Sequence, residues 1–350
     1  MELSTEREAE SFKDSSASVL LKKLAAIYRQ ANPPPLKTMF ELCQSINTIY
    51  EQESPTIRPP DNEGLPGGLI KLDPNLLTVI VPDLHARTDF FYSLMAYPLD
   101  GELTICELLA QEALQVVCLG DGFHAEGRAR ERWAKALLEF QGGYQKHKAM
   151  DEEMRESLGV MQMVMETKIC YPANFHFLKG NHENIANENG GGNYPFRKYA
   201  YEGAMVLEYI RRFYGLEFLE EYYTFEKHLP LLAVGNNFLV SHAEPKRCFK
   251  TDEVINYRRQ ADVVYGLTWT DNGEADEGAV WCMLNHYLPK GVQQEAKYFA
   301  GHRTVADRFQ TRAKGFFVQF HNPHRFQIVV CKPEMPIDLG QCFLDIDKKI

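Results

Sequence analysis

The chain has 350 residues, of which 45% are hydrophobic, and a formal net charge of −10. That length and apolar share allow one large α/β domain or two smaller ones with a sizeable core, while the acidic balance argues against binding nucleic acid or anionic membrane through bulk surface charge. The opening run MELSTEREAESFKDSS has no apolar stretch of the signal-peptide kind and no segment approaches a membrane span, so a soluble, cytoplasmic protein is expected.

In chain order, Leu20, Leu21, Leu24, Ala25 and Tyr28 share one helical face. Beyond three prolines, Met39, Phe40, Cys43, Ile46 and Tyr50 share another, which predicts a helical pair within residues 17–52. Residues 54–68, SPTIRPPDNEGLPGG, are dense in Pro and Gly and read as a connector. Residues 1–68 are therefore expected to form a helical extension and residues 69–350 the main domain. Helical spacing returns at 128–168, through Trp133, Leu137 and Phe140 and then Met150, Met154, Leu158, Met161 and Met165. This is read as an insert whose Met stripe packs on the core. Cys43, Cys106, Cys118, Cys170, Cys248, Cys282, Cys331 and Cys342 are spread singly, and reduced thiols rather than disulfides or a zinc knuckle are expected.

Five short apolar runs each end abruptly in polar residues: TVIVPDLH (78–85), VVCLGDGFH (116–124), FHFLKGNHE (175–183), NFLVSHAEP (237–245) and KYFAGHRT (297–304). Each reads as a buried strand, and in α/β sheets ligands gather at the carboxyl ends of strands. A single polar exit is a turn, but five of one kind indicate a shared rim. The exits offer Asp83 and His85, Asp121, Asn181 and His182, His242, and His302. Asp83 and His85, two apart on an extended segment, point to the same side and can grip one ion. Carboxylate oxygen with imidazole nitrogen suits Mn²⁺, Fe or Zn²⁺ better than Ca²⁺ or Mg²⁺. With two such ions roughly 3.5–4 Å apart, one carboxylate, for which Asp121 is the candidate, bridges them and a shared hydroxide serves as nucleophile. Carboxylates following apolar runs are costly to bury unpaired, and a cation compensates. His147, His176, His228, His286, His321 and His324 lie outside these exits and receive no such role.

The segments PDLH, GDGFH, LKGNHEN, SHAEP and AGHR, in this order, resemble the calcineurin-like metallophosphoesterase superfamily over roughly residues 77–330. LPLLAVGNNFLVSHAE and LTWTD (267–271) are more similar to its phosphoprotein-phosphatase branch. The resemblance implies a four-layer α/β fold of two packed mixed sheets flanked by helices, and metal-dependent phosphoester hydrolysis in one in-line step. It implies one transition-metal ion on Asp83, His85 and Asp121 and a second on Asp121, Asn181, His242 and His302. His182 would protonate the leaving group, with Glu183 a structural neighbour in the same turn.

The chain departs from that branch where its pattern continues G-D-x-x-D-R-G. Here His124 stands where the second Asp, which orients the catalytic His, belongs, and the phosphate-gripping Arg is missing. Glu126 is a candidate to orient His182, and Arg128, Arg87, Arg247 and Arg303 are candidates to grip phosphate. SHAEP replaces a Gly-Gly, so Glu244 is expected to project into the cleft. A phosphorylated substrate, protein or small molecule, is expected. The open alternatives are a serine/threonine phosphatase, a nucleotide or dinucleoside-polyphosphate hydrolase, a phosphodiesterase, and a non-catalytic scaffold of the same fold. No protein partner is identified.

Overall fold

The computed structural model describes residues 2–99 and 101–349, with side chains from residue 16 onward. Two helices, α1 (Glu2–Arg29) and α2 (Leu36–Glu51), precede β1 (Leu69–Lys71), β2 (Leu77–Val81), α3 (Thr88–Met95), α4 (Ile105–Ala110) and β3 (Leu114–Cys118). Next come α5 (Arg130–Gln141), α6 (Lys148–Cys170), β4 (Phe175–Phe177), α7 (Glu202–Phe213) and α8 (Gly215–His228). The remainder holds β5 (Leu232–Val234), β6 (Phe238–Ser241), α9 (Thr251–Ile255), α10 (Ala261–Thr268), α11 (Ala279–Tyr287) and β7 (Lys297–Ala300). It closes with β8 (Gln310–Arg312), β9 (Phe317–Gln319), β10 (Gln327–Cys331) and β11 (Phe343–Asp345).

The strands form two sheets, ordered β11-β10-β2-β3-β4 and β1-β5-β6-β7-β9-β8. Within the first, β2, β3 and β4 are parallel, and within the second β6, β7 and β9 are parallel. Each sheet thus sends three neighbouring carboxyl ends out of the same edge, the arrangement that gathers loop residues into a site.

Side chains alternate across a strand, and here the alternation sorts residues into three apolar cores. Val79, Val81, Val116 and Cys118 pack with helices α1 to α8, whereas Ile80 and Val117 face the opposite sheet. From that opposite sheet Val240, Phe299 and Val318 meet them, while Leu239, Tyr298 and Phe317 turn outward onto α9, α10 and α11. Three cores between four layers give the expected architecture: helices, five-stranded sheet, six-stranded sheet, helices.

The N-terminal pair shares the first core, through Leu20, Leu24 and Ile27 on α1 and Met39, Cys43 and Ile46 on α2. Helix α6 is buried on every side from Ser157 to Lys168, which is why it is filled with Met rather than striped. The Pro/Gly-rich connector is tied to α6 by a buried ionic cluster. Glu53 accepts from Lys168 Nζ at 2.5 Å and from Arg58 Nη1 at 2.7 Å.

The expectation of eight reduced thiols needs correction. Cys248 and Cys282, 34 positions apart, form a disulfide, and the other six cysteines are free. Neither residue carries a motif that reveals the pair. Only the packing of α11 against the loop entering α9 brings their Cα atoms to 5.5 Å. Among the described residues no helix is long and apolar enough to cross a membrane.

Burial raises the Glu53 carboxyl, but Lys168 and Arg58 outweigh it and hold the group at about 2, against an ordinary 4.5. The unfolded chain therefore binds a proton near pH 4.5 that the folded chain refuses until about pH 2, and stability is lost as pH falls through that window. Glu53→Gln is expected to flatten this acid slope. It also leaves two buried cations without their anion, at a cost of about 3–5 kcal/mol near neutral pH. Urea midpoints measured from pH 7 to pH 2 check both, and an unchanged midpoint at neutral pH would refute the cluster's role.

Candidate metal centre

Each exit turns sharply after its strand. Pro82, which has no N–H to give a ladder, ends β2. Beyond it His85 and Ala86 take φ of 42° and 58°, and Asp121, His124 and His302 take 51°, 61° and 63°. Such left-handed conformations are costly for residues with a Cβ and collect where function over-determines the backbone. The motif glycines have a steric cause. A Cβ on Gly301 would lie 1.8 Å from Asp83 Oδ1, and one on Gly180 would lie 2.2 Å from Asp121 Oδ1. The carboxylates occupy the space that any other residue's side chain needs.

Glu183 binds two of these turns together. Its carboxylate accepts from the backbone N–H groups of Gly180 at 2.6 Å, Asp121 at 2.9 Å and Gly122 at 2.7 Å. Helices α5 and α6 support the same loop. Glu153 on α6 accepts from Ala125 N at 2.8 Å, Trp133 Nε1 on α5 donates to Ala125 O at 2.8 Å, and Met161 fills the space beside Gly122.

The named side chains converge. Asp121 Oδ2 stands 3.6 Å from His85 Nε2 and 3.4 Å from His242 Nε2, between the two sets. On one side His85 Nε2 is 3.9 Å from Asp83 Oδ2. On the other, Asn181 Oδ1 meets His242 Nε2 at 3.0 Å and His302 Nδ1 at 2.9 Å. His242 Nδ1 is turned to Leu119 O at 3.0 Å, and His85 Nδ1 to His124 O at 3.1 Å, which fixes both rings. Three groups have ligand atoms mutually within 4.8 Å: Asp83, His85 and His321; His85, Asp121 and His182; Asp83, Asp121 and His242.

The electrostatics fit a cation. Burial raises Asp83 to about 6, with Glu126 adding to it, and pushes Asp121 well above its ordinary value, with Glu183 and Asp83 adding to it. Burial lowers His85 and His302 to about 3 and holds His242 far below the usual range. Neutral imidazoles beside crowded carboxylates form a donor set whose carboxylates a cation returns to the ionised state. Buried Asp83 Oδ1, His302 Nε2 and His321 Nδ1 have no hydrogen-bond partner, so the cluster is not satisfied from within the protein.

His182 stands at the edge of this group, its backbone N donating to Asp121 Oδ1 at 3.0 Å. Its Nδ1 lies 2.8 Å from His124 Nδ1, so His124 occupies the orienting position considered above for Glu126. Glu126 instead bonds His321 Nε2 at 3.0 Å and Lys198 Nζ at 2.6 Å. Phe196 covers the pair, its ring 3.7 Å from that of His182 and stacked on His124.

The cationic candidates are committed elsewhere. Arg87 is buried, donating to the carbonyls of Asp83, Leu84 and Arg325. Arg128 reaches Glu156 and the carbonyl of Ala86. Arg247 pairs with Glu253 and Asp262, and Arg303 forks onto Asp271 at 2.7 and 2.8 Å. Glu244 does not project unpaired, because Arg312 Nη2 holds it at 2.6 Å. His321, Phe196 and Lys198 were missed. His321 had a signal, since FVQF ahead of it is a sixth buried strand exit, but Gln319 interrupts the apolar run. Phe196 and Lys198 sit in an irregular loop with none.

A family model described as calcineurin-like phosphoesterase matches residues 76–331, well over half of the chain. A solved protein serine/threonine phosphatase from Saccharomyces cerevisiae, with similarity to human phosphatase PP5, superposes with a TM-score of 0.55 at 17% identity, covering 91% of each chain. That likeness shows the fold. A cold-active protein tyrosine phosphatase gives a TM-score of 0.44 at 14% identity, covering 76% of this chain and 77% of the other. The cold-active protein-tyrosine phosphatase of a psychrophilic Shewanella gives 0.39 at 14% identity, with coverage of 76% and 77%. At those scores neither carries an argument. No match was found among curated protein sequences.

Glu183→Ala strips acceptors from three buried N–H groups. At about 1–3 kcal/mol for each donor left unsatisfied, a loss of at least about 3 kcal/mol in unfolding free energy is expected. Chemical denaturation measures it, and a loss within experimental error would show that the two turns hold without the carboxylate.

Proposed function

Since the chain belongs to the calcineurin-like phosphoesterase family and is a phosphoester hydrolase, we propose that it works through a dinuclear transition-metal centre. Asp83, His85 and Asp121 hold one ion and Asp121, Asn181, His242 and His302 the other. The observation that carries this reading is Asp121 Oδ2, set 3.6 Å from His85 Nε2 and 3.4 Å from His242 Nε2. Both separations are under twice a metal–ligand distance of about 2.0–2.2 Å, so one carboxylate can serve both sets. Mn²⁺, Fe and Zn²⁺ all suit the mixed oxygen and nitrogen donors. Such ions supply a nucleophile usable at neutral pH and positive charge for the phosphoryl oxygens.

His182 is the general acid. Burial, with His85 and His124 adding to it, holds the His182 ring well below the ordinary imidazole range, so its protonated form gives up a proton readily; in that form Nδ1–H donates to His124 Nδ1 and Nε2–H is left for the departing oxygen. A neutral imidazole here takes the orienting place of a carboxylate: it sets the ring but adds no negative charge. Burial lowers His124 to about 3, which keeps it neutral and able to accept.

The substrate is a phosphorylated protein or small molecule. Of the paired cations, Arg303, half-exposed beside His302, is the one whose surface partner Asp271 is exchanged for the phosphate at the rim. The likeness to the yeast phosphatase favours a phosphoprotein. The absence of an uncommitted arginine among Arg87, Arg128 and Arg247 favours a nucleotide or other small phosphoester less dependent on a bidentate grip. Comparing turnover on phosphopeptides, nucleotides and diesters separates these readings.

Protein stripped of metal is expected to be inactive on p-nitrophenyl phosphate and to recover with added Mn²⁺. Asp121→Asn should lower the recovered turnover on the order of 1,000-fold, the several kcal/mol of stabilisation that shared ions provide. His182→Ala should lower turnover roughly 10²–10⁴-fold on phenyl phosphate, whose leaving group needs a proton, and far less on p-nitrophenyl phosphate. Equal losses on both substrates would remove His182 from the acid role. Activity that ignores metal would end the dinuclear reading, and an inert but metal-loaded protein would point to the scaffold.

A further inference from the structure

We propose that His321 is a fourth protein ligand of the ion held by Asp83, His85 and Asp121, with Glu126 holding its ring from behind. The proposal rests on the dinuclear reading above and extends it to a residue outside every motif that carried the family resemblance.

His321 is fully buried and follows β9, the third parallel strand of the six-stranded sheet. Its Nε2 lies 3.0 Å from Glu126 Oε2. A carboxylate accepts only, so the proton sits on Nε2 and Nδ1 carries the lone pair. That Nδ1 has no hydrogen-bond partner and stands 3.8 Å from Asp83 Oδ2. A buried lone pair facing a carboxylate is doubly unfavourable; a proton on either group would relieve it, but 3.8 Å is too long for the hydrogen bond that proton would make, and the gap fits a cation. Coordinating atoms of Asp83, His85 and His321 lie mutually within 4.8 Å, and the Asp83 to His321 gap is below twice a metal–ligand distance of about 2.0–2.2 Å.

Glu126 completes the pattern of a carboxylate behind a metal-binding imidazole, which orients the ring and raises its basicity. It is itself anchored by Lys198 Nζ at 2.6 Å and borders His85 Nε2 at 3.8 Å. Asp83, His85 and Asp121 all leave the five-stranded sheet, so without His321 the first ion would be held by one sheet alone. The second set already draws on both, Asp121 and Asn181 from one and His242 and His302 from the other. With His321 each ion has four protein side chains and each clamps the two sheets together.

The test is metal binding rather than activity. Metal-free wild type, His321→Ala and Glu126→Gln are titrated with Mn²⁺ against a competing fluorescent chelator, and bound metal is counted by mass spectrometry after desalting. Circular dichroism of the metal-free forms establishes that each is folded. Wild type is expected to take two equivalents. His321→Ala should keep one and bind the other at least tenfold more weakly, and Glu126→Gln should weaken the same equivalent about 10–100-fold. Where the alanine variant does not fold, His321→Gln, closer in volume, gives the same reading. Two equivalents of unchanged affinity in His321→Ala, or two weakened alike, would overturn the role of His321 and leave the dinuclear reading standing. Fewer than two equivalents in wild type would defeat the dinuclear reading itself.

Discussion

Asp83 and Asp121 place two carboxylates in the dry edge between two β-sheets, with imidazoles on both sides and almost no exposure to water. Left alone, such groups are expensive, and the pressure is visible in carboxyls pushed up and imidazoles pushed down by burial. A cation placed among them converts the same crowding into binding. Much of what is unusual nearby serves to keep these groups in position: glycines where a Cβ would collide, five residues with positive φ, and loops tied by buried carboxylates.

The supports lie in layers. Glu183 joins the turn after β3 to the turn after β4 by accepting from three backbone donors. Glu153 and Trp133 then hold both the N–H and the carbonyl of Ala125, one residue past His124. Helices α5 and α6 therefore do more than fill space beside the sheet, because they hold the loop that carries Asp121 and His124. Helices α1 and α2 act at one further remove, packing on α6 and α8 in the same apolar core.

How much of this was legible followed from whether the information was local. The unbroken apolar runs of Val79, Ile80 and Val81, or of Phe238, Leu239 and Val240, mark strands buried on both faces and are written in consecutive residues; which core each side chain enters is set by the packed sheets. Asp83, His85, Asp121, Asn181, His182, His242 and His302 stood out because each directly follows such a run. His321 obeys the same rule but is masked by Gln319, whose side chain is buried by bonding the Gly301 carbonyl and Arg312 rather than by being apolar. The arginines were misleading for the opposite reason: proximity in sequence to a motif says nothing of what a long side chain reaches, and Arg87 turns back onto its own loop.

The sequence by itself determined the buried strands and the polar side chains at their ends, because strand composition and strand exit are short-range properties of the chain, and the order of those motifs carried the resemblance that implies the layered α/β architecture and the family. Tertiary structure alone decided the pairings across the chain. It set His124 against His182, turned Glu126 to His321, gave Glu244 to Arg312 and joined Cys248 to Cys282. Each of these depends on where two distant segments come to rest, and that is fixed by how the sheets and helices pack, which no local pattern of residues encodes.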